Sequence, residues 1–180
     1  IGCVIIRRSK WLEAKRERYY GSLFIHVGVI FQPDLIHSVH VLSEPLIVIR
    51  YGNAMWTPRG FEIWSFKWPA LVWSFTGFSD SAKRRVCHPA PWKRIKTLVY
   101  YRATGAYGIS EYQKFISNRE VGVYKLMAFI CAVLPGNLLN LYGIFYFAVL
   151  NKEAKMMKYD LLRSVHVTSI SRYCAKLIWR

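Results

Sequence analysis

The chain has 180 residues, one domain's worth by length, with 53% hydrophobic and 16% aromatic residues, a composition that excludes general disorder. Its formal net charge of +16 comes from 26 Lys and Arg against only 10 Asp and Glu, which points to nucleic acid or to anionic lipid beside a membrane segment. The four cysteines, Cys3, Cys87, Cys131 and Cys174, are too scattered for a zinc site or a disulfide-stapled scaffold.

The first residue is Ile1, which reads as a processed product or a fragment. Apolar residues 1–6 precede Arg7, Arg8 and Lys10, the reverse of a secretory signal, and Glu13 and Glu17 argue against an organelle presequence. Residues 1–20 are expected to hold a basic, solvated helix over 7–20 that stops at Gly21. The texture then changes. Leu23–Phe31 and Leu46–Ile49 are β-branched runs bounded by Pro33, Pro45 and Gly52, and they read as strands. Gly52-Asn53 would turn into a further strand through Met55–Trp56. Residues 21–60 are therefore expected to form a small β-rich unit. His37 and His40 could share a helix face and hold a metal, but on a strand they point apart, so no metal is expected.

Residues 61–82 form an aromatic, amphipathic segment. Phe61, Trp64, Trp68, Leu71, Phe75 and Phe78 recur at steps of three and four, one face of a helix. Pro69 interrupts it, so two half-helices meet there, or a strand over Ile63–Lys67 precedes a helix. Tryptophans at headgroup depth are the functional reading, and core packing the preferred one.

Residues 83–125 are expected to be a basic linker followed by a short helix from about Ser110-Glu111. The linker carries Lys83, Arg84, Arg85, Lys93, Arg94, Lys96 and Arg102 without an acid, interleaved with Trp92, Tyr100 and Tyr101. Such side chains neutralise phosphates and stack on bases, and lipid headgroups would satisfy the same charges. A solvated basic loop needs neither.

Leu126–Leu150 contains no charged residue. As a straight helix it would run about 37 Å, enough for a hydrocarbon core of roughly 30 Å. Lys125 before it and Lys152, Lys155 and Lys158 after it are placed to snorkel into headgroups. Pro135, Gly136 and Asn137 form a turn signal near its middle, and a split there leaves arms too short to span. A kinked span is preferred, then a re-entrant hairpin, then a helical hairpin buried in a soluble core. Balanced flanking charge gives no orientation. Asn137 and Asn140 would seek hydrogen-bond partners, on a partner helix or on each other's backbone, and a turn is the plainer account of Asn137. Residues 151–180 are expected to form a basic C-terminal helix continuing the apolar segment outward.

The expected fold class is thus α+β and membrane-associated, a small β-rich N-terminal part followed by aromatic-rich and apolar helical segments. There is no phosphate-cradling glycine loop, no nucleophile elbow and no telling carboxylate pair, so neither enzymatic activity nor a cofactor is expected. The leading expectation is a small basic membrane protein acting by contact, as an accessory or assembly subunit, with the bilayer, anionic lipid or a protein helix as partner. An RNA-binding ribonucleoprotein component is the alternative, and a fragment or reading frame without evolved function the third.

Overall fold

Every regular element of the described residues is helical, and this overturns the α+β expectation. The computed structural model describes residues 4–32, 35, 38–44, 46–48, 57–150 and 154–179. Ile49, the Gly52-Asn53 turn and Met55–Trp56 fall outside these, as do His37 and Lys152. Leu46, Ile47 and Val48 are exposed and form no regular structure.

The chain divides into two compact units. Unit 1 comprises residues 1–53 and 63–91, and unit 2 residues 54–62 and 92–180.

Unit 1 begins with α1 (Arg8–Glu13), and the basic helix expected over 7–20 is cut short. The side-chain amide of Gln32 explains the break. It accepts from the Lys15 backbone N–H at 3.2 Å and donates to the Lys15 carbonyl at 3.1 Å, as a paired strand would. The chain resumes as a single 3-10 turn over Glu17–Tyr19, and Gly21 follows in the left-handed region at φ 77°.

Leu23–Phe31 is the run expected as a strand, and it forms α2 (Ile25–Ile30) instead. Val27 packs with Tyr19, Phe24, Ile63, Leu71 and Phe75, whereas Val29 packs with Ala14 and Leu35. Two residues apart on a helix means nearly opposite faces, so α2 is covered on both sides. A helix buried all round needs an unbroken apolar run, which periodicity cannot tell from a buried strand.

Gly28 lets α2 sit against the Tyr19 ring, because a Cβ there would lie 2.4 Å from Tyr19 Cγ. Tyr19 is itself buried, so its ring cannot swing aside. Gly28→Ala should therefore cost about 1–3 kcal/mol by overpacking, read as a lower urea midpoint.

The aromatic segment is helical from Phe61 to Ser74, and the strand option over Ile63–Lys67 is overturned. It runs through a 3-10 turn (Thr57–Arg59), α3 (Gly60–Glu62), a π-helical stretch (Ile63–Lys67) and α4 (Trp68–Ser74). The π-helical turns place Pro69 at the N-terminal edge of α4, where its missing N–H breaks no α-helical ladder. Ile63, Leu71 and Phe75 are core, while Trp64 and Phe78 remain exposed. Then α5 (Asp80–Val86) is capped by the Ser79 hydroxyl, which accepts from the Ala82 N–H.

Unit 2 holds α3 together with α6 (Ile95–Thr104), α7 (Ile109–Phe115), α8 (Gly122–Val133), α9 (Gly136–Val149), α10 (Lys155–Arg163) and α11 (Ser169–Ile178). Helix α9 is its centre, packed by α6, α10 and α11, while α8 packs on α6 and α7. The expectation of one basic helix over 151–180 is replaced by two helices joined near Ser164. Far from running outward, α10 returns to α9. Leu161 is fully buried there, and its side chain approaches Gly143 so closely that a Cβ on Gly143 would meet it at 3.1 Å.

Candidate membrane-facing surface

Helices α8 and α9 carry the apolar segment, and Leu134-Pro135 separates them. Pro135 has no N–H to continue the α8 ladder, so the chain turns. The two axes differ by 98°. At 1.5 Å per residue the arms are about 18 and 21 Å long, each short of a hydrocarbon core of roughly 30 Å. No single helix among the described residues is long and apolar enough to cross a membrane.

The inward faces of both arms are built from small residues. Ala128 (0% exposed), Cys131 and Ala132 point inward from α8, as do Gly136, Gly143 and Ala148 from α9, joined by Ile144 and Phe147. Large apolar side chains point the other way. On α8 these include Leu126 (58% exposed), Phe129, Ile130 and Val133; on α9, Leu138 (61%), Tyr142, Phe145 and Val149 (69%). A protein folding in water alone gains by burying its largest apolar groups. Small residues inside and large ones outside is the arrangement of helices that pack closely in lipid.

Polar side chains tie these arms to the rest of unit 2. The Tyr107 hydroxyl donates to the Ala128 carbonyl at 2.9 Å, and burial holds this phenol above its ordinary range. Trp179 Nε1 donates to the Ile144 carbonyl at 3.1 Å. Asn140, fully buried, donates through Nδ2 to the carbonyls of Leu161 (2.9 Å) and Ala103 (3.3 Å). The Ser164 hydroxyl donates to the same Ala103 carbonyl at 2.7 Å. Asn140 thus finds partners within its own chain, and Asn137 accepts from the Leu138 N–H.

The bend is held by two further groups. Arg102 Nε donates to the Leu134 carbonyl at 2.8 Å, satisfying an orphan acceptor at the end of α8. The His166 ring lies against Gly136, where a Cβ would come within 2.3 Å of it. Of the expected turn residues, Gly136 is therefore the point of close approach, Pro135 the break, and Asn137 an exposed first-turn residue.

Burial, and secondarily the Arg102 charge, lowers the His166 pKa from its ordinary 6.5. Below that value the unfolded chain takes up a proton that the folded chain resists, so folding weakens as pH falls. The urea midpoint in mild detergent should rise from about pH 5 to about pH 7.5, and His166→Gln should flatten that part of the profile.

The basic residues of the linker are divided between the two units. Lys83, Arg84 and Arg85 belong to unit 1, the other four to unit 2. Lys83 and Arg84 lie over the Trp73 ring, at 5.7 and 5.5 Å from its centroid. Lys93 pairs with Glu120 at 3.0 Å, and Lys96 lies over Tyr146. Arg102 is engaged at the bend. Arg85 and Arg94 are exposed. Of the flanking lysines, Lys125 is half-buried, Lys155 exposed, and Lys158 over the Trp179 ring.

One contributor escaped the reading of the sequence. Along α11, Ser171 and Ala175 are buried against the core, while Ile170, Tyr173 and Leu177 are exposed. Arg172 and Lys176 are exposed as well. The Ser-x-x-x-Ala spacing, like Ala128-x-x-x-Ala132, is a readable signal for close helix packing. Among the described residues no three His, Cys, Asp or Glu side chains converge as metal ligands. Comparison with protein-family models, curated proteins and solved structures returns no match.

Proposed function

We propose that this protein is a small, basic, membrane-associated component that acts by contact, with the α8–α9 surface as its lipid-binding element. The supporting observation is the outward display of Leu126, Phe129, Ile130 and Val133 opposite buried Ala128 and Ala132. That surface is costly in water and gains free energy only when an apolar medium covers it. Lipid is the occupant because the exposed side chains are apolar over a 25-residue stretch without a charge, while basic residues crowd the remainder. Residues 92–180 contain fourteen Lys and Arg against four Asp and Glu, a balance that suits anionic headgroups.

Flotation tests the reading. The purified chain should rise with vesicles in a density gradient, more completely when they contain anionic lipid, and should stay with them through carbonate extraction. Protein that remains at the bottom with every vesicle, or leaves them in carbonate, defeats it. RNA affinity that falls steeply with salt, in a chain that ignores vesicles, would point to nucleic acid as the partner.

A further inference from the structure

Helix α11 has three faces. At 100° per residue, Ser171 and Ala175 lie on one side and are buried. Ile170, Tyr173 and Leu177 lie on a second, exposed and apolar, and Arg172 and Lys176 on a third, exposed and cationic. Such a helix is satisfied where protein, hydrocarbon and charged headgroups meet, which is the membrane interface. Helix α11 is fastened along α9. Ala175 shares a core with Ile144 and Phe147, and Trp179 Nε1 bonds the Ile144 carbonyl. The depth of α11 therefore limits the depth of α9.

The bend carries charge too. Arg102 is bonded to the Leu134 carbonyl, so a guanidinium sits at the junction of the arms. A crossing helix would carry it to mid-bilayer, and a re-entrant hairpin would make it the deepest point. Both are costly for a cation. Lys125 near the start of α8 and Lys155 beyond α9 are basic as well. Charge thus marks both ends of the segment and its middle.

We infer that α8, α9 and α11 lie in the plane of a single anionic leaflet, with the bend no deeper than the ends. The inference rests on the membrane reading and goes beyond it by giving the segment a topology that neither spans nor dips. Each arm inserts its outward apolar side chains sideways into the acyl boundary. Arg172 and Lys176 take the phosphates.

Nitroxide depth measurements test it. Leu126→Cys, Leu138→Cys, Val149→Cys and Leu177→Cys, each in a chain with its four native cysteines replaced, are spin-labelled and floated with anionic vesicles. All four labels should report similar, shallow depths in one leaflet. A label at Leu138 much deeper than those at Leu126 and Val149 overturns the inference in favour of a re-entrant hairpin. A steady gradient from Leu126 to Val149 overturns it in favour of a span. In the unsubstituted protein, added outside sealed vesicles, a membrane-impermeant lysine reagent should modify Lys125, Lys155 and Lys176 each as fully as it does once detergent has opened the vesicles. Protection of one end overturns the inference without any substitution. Arg172→Glu with Lys176→Glu should reduce binding to anionic vesicles at least tenfold, with little change on neutral ones. Unchanged binding to anionic vesicles overturns the headgroup assignment. Failure to float at all would remove the membrane reading itself, whereas flotation with unequal depths removes only the in-plane geometry.

Discussion

Leu126→Glu combined with Ile130→Glu should strip the protein from vesicles while leaving it folded. The two positions are one helical turn apart on the outer face of α8, and each has roughly half of its surface exposed. Neither belongs to a core cluster, so the substitution removes little packing. In lipid the balance is different. Withdrawing two half-exposed apolar side chains forfeits about 1 kcal/mol apiece, and each glutamate adds the cost of bringing a carboxylate towards hydrocarbon. A combined loss of about 3 kcal/mol is already more than a hundredfold in partitioning. Flotation measures the partitioning, and far-UV circular dichroism in detergent should show unchanged helix content. Retained binding by a folded variant would refute the role given to this face.

The inward face supplies the contrast. Ala128 and Ala132 are on the same helix and equally apolar, yet they are sealed against the protein. A larger residue there should damage folding in detergent and in vesicles alike. The same helix thus separates the two effects, affinity outside and stability inside.

The apolar segment was legible because it needs only local information. Absence of charge from Leu126 to Leu150, lysines beside it and Pro135-Gly136 inside it are all visible in a short window, and the bend falls there. Which side of each arm faces outward was also written locally, in the spacing of Ala128 with Ala132 and of Gly136 with Gly143. Leu23–Phe31 was misread for a definable reason. Nine consecutive apolar or nearly apolar residues carry no periodicity, and β-branched side chains then favour a strand. Burial of Val27 and Val29 on opposite sides of α2 overrides that propensity, and such burial comes from segments distant in the sequence, Ile63 and Leu71 among them. One contact of Arg102 is hidden for the same reason. The residues beside it, Tyr100 and Tyr101, suggest a polyanion or headgroup contact, and nothing local shows that it also donates to the Leu134 carbonyl, thirty-two positions away. The break of the first helix depends on Gln32, seventeen residues from Lys15. Local patterns set the apolar surface and place its break, and long-range polar contacts hold the bend that shapes it.

Asn140 is where those polar contacts converge. One amide nitrogen joins α9 to the Leu161 carbonyl near the end of α10 and to the Ala103 carbonyl near the end of α6. Carbonyls near a helix end lack i+4 donors, so Asn140 adds to the local Ser164 N–H at Leu161 and to the Ser164 hydroxyl at Ala103. Asn140→Ala should leave the Leu161 carbonyl with only the Ser164 N–H and the Ala103 carbonyl with only the Ser164 hydroxyl. Losing the two bonds should cost about 1–2 kcal/mol, since the Leu161 carbonyl still accepts from the Ser164 N–H at 3.3 Å. The expected readout is a fall in the denaturation midpoint in detergent, with α10 and α6 losing hydrogen-exchange protection before α7. Ser164→Ala removes a single donor from a carbonyl that Asn140 still serves and should cost less, about 1 kcal/mol. Because both side chains share Ala103, the double substitution should differ from the sum of the singles, and that departure measures the coupling. Strict additivity would mean that the shared carbonyl is not what ties α6, α9 and α10 together. If the node holds the bend, Asn140→Ala should also weaken vesicle binding although no lipid-facing atom has changed, since the outward residues of α8 and α9 act as one surface only while the angle between the helices is kept.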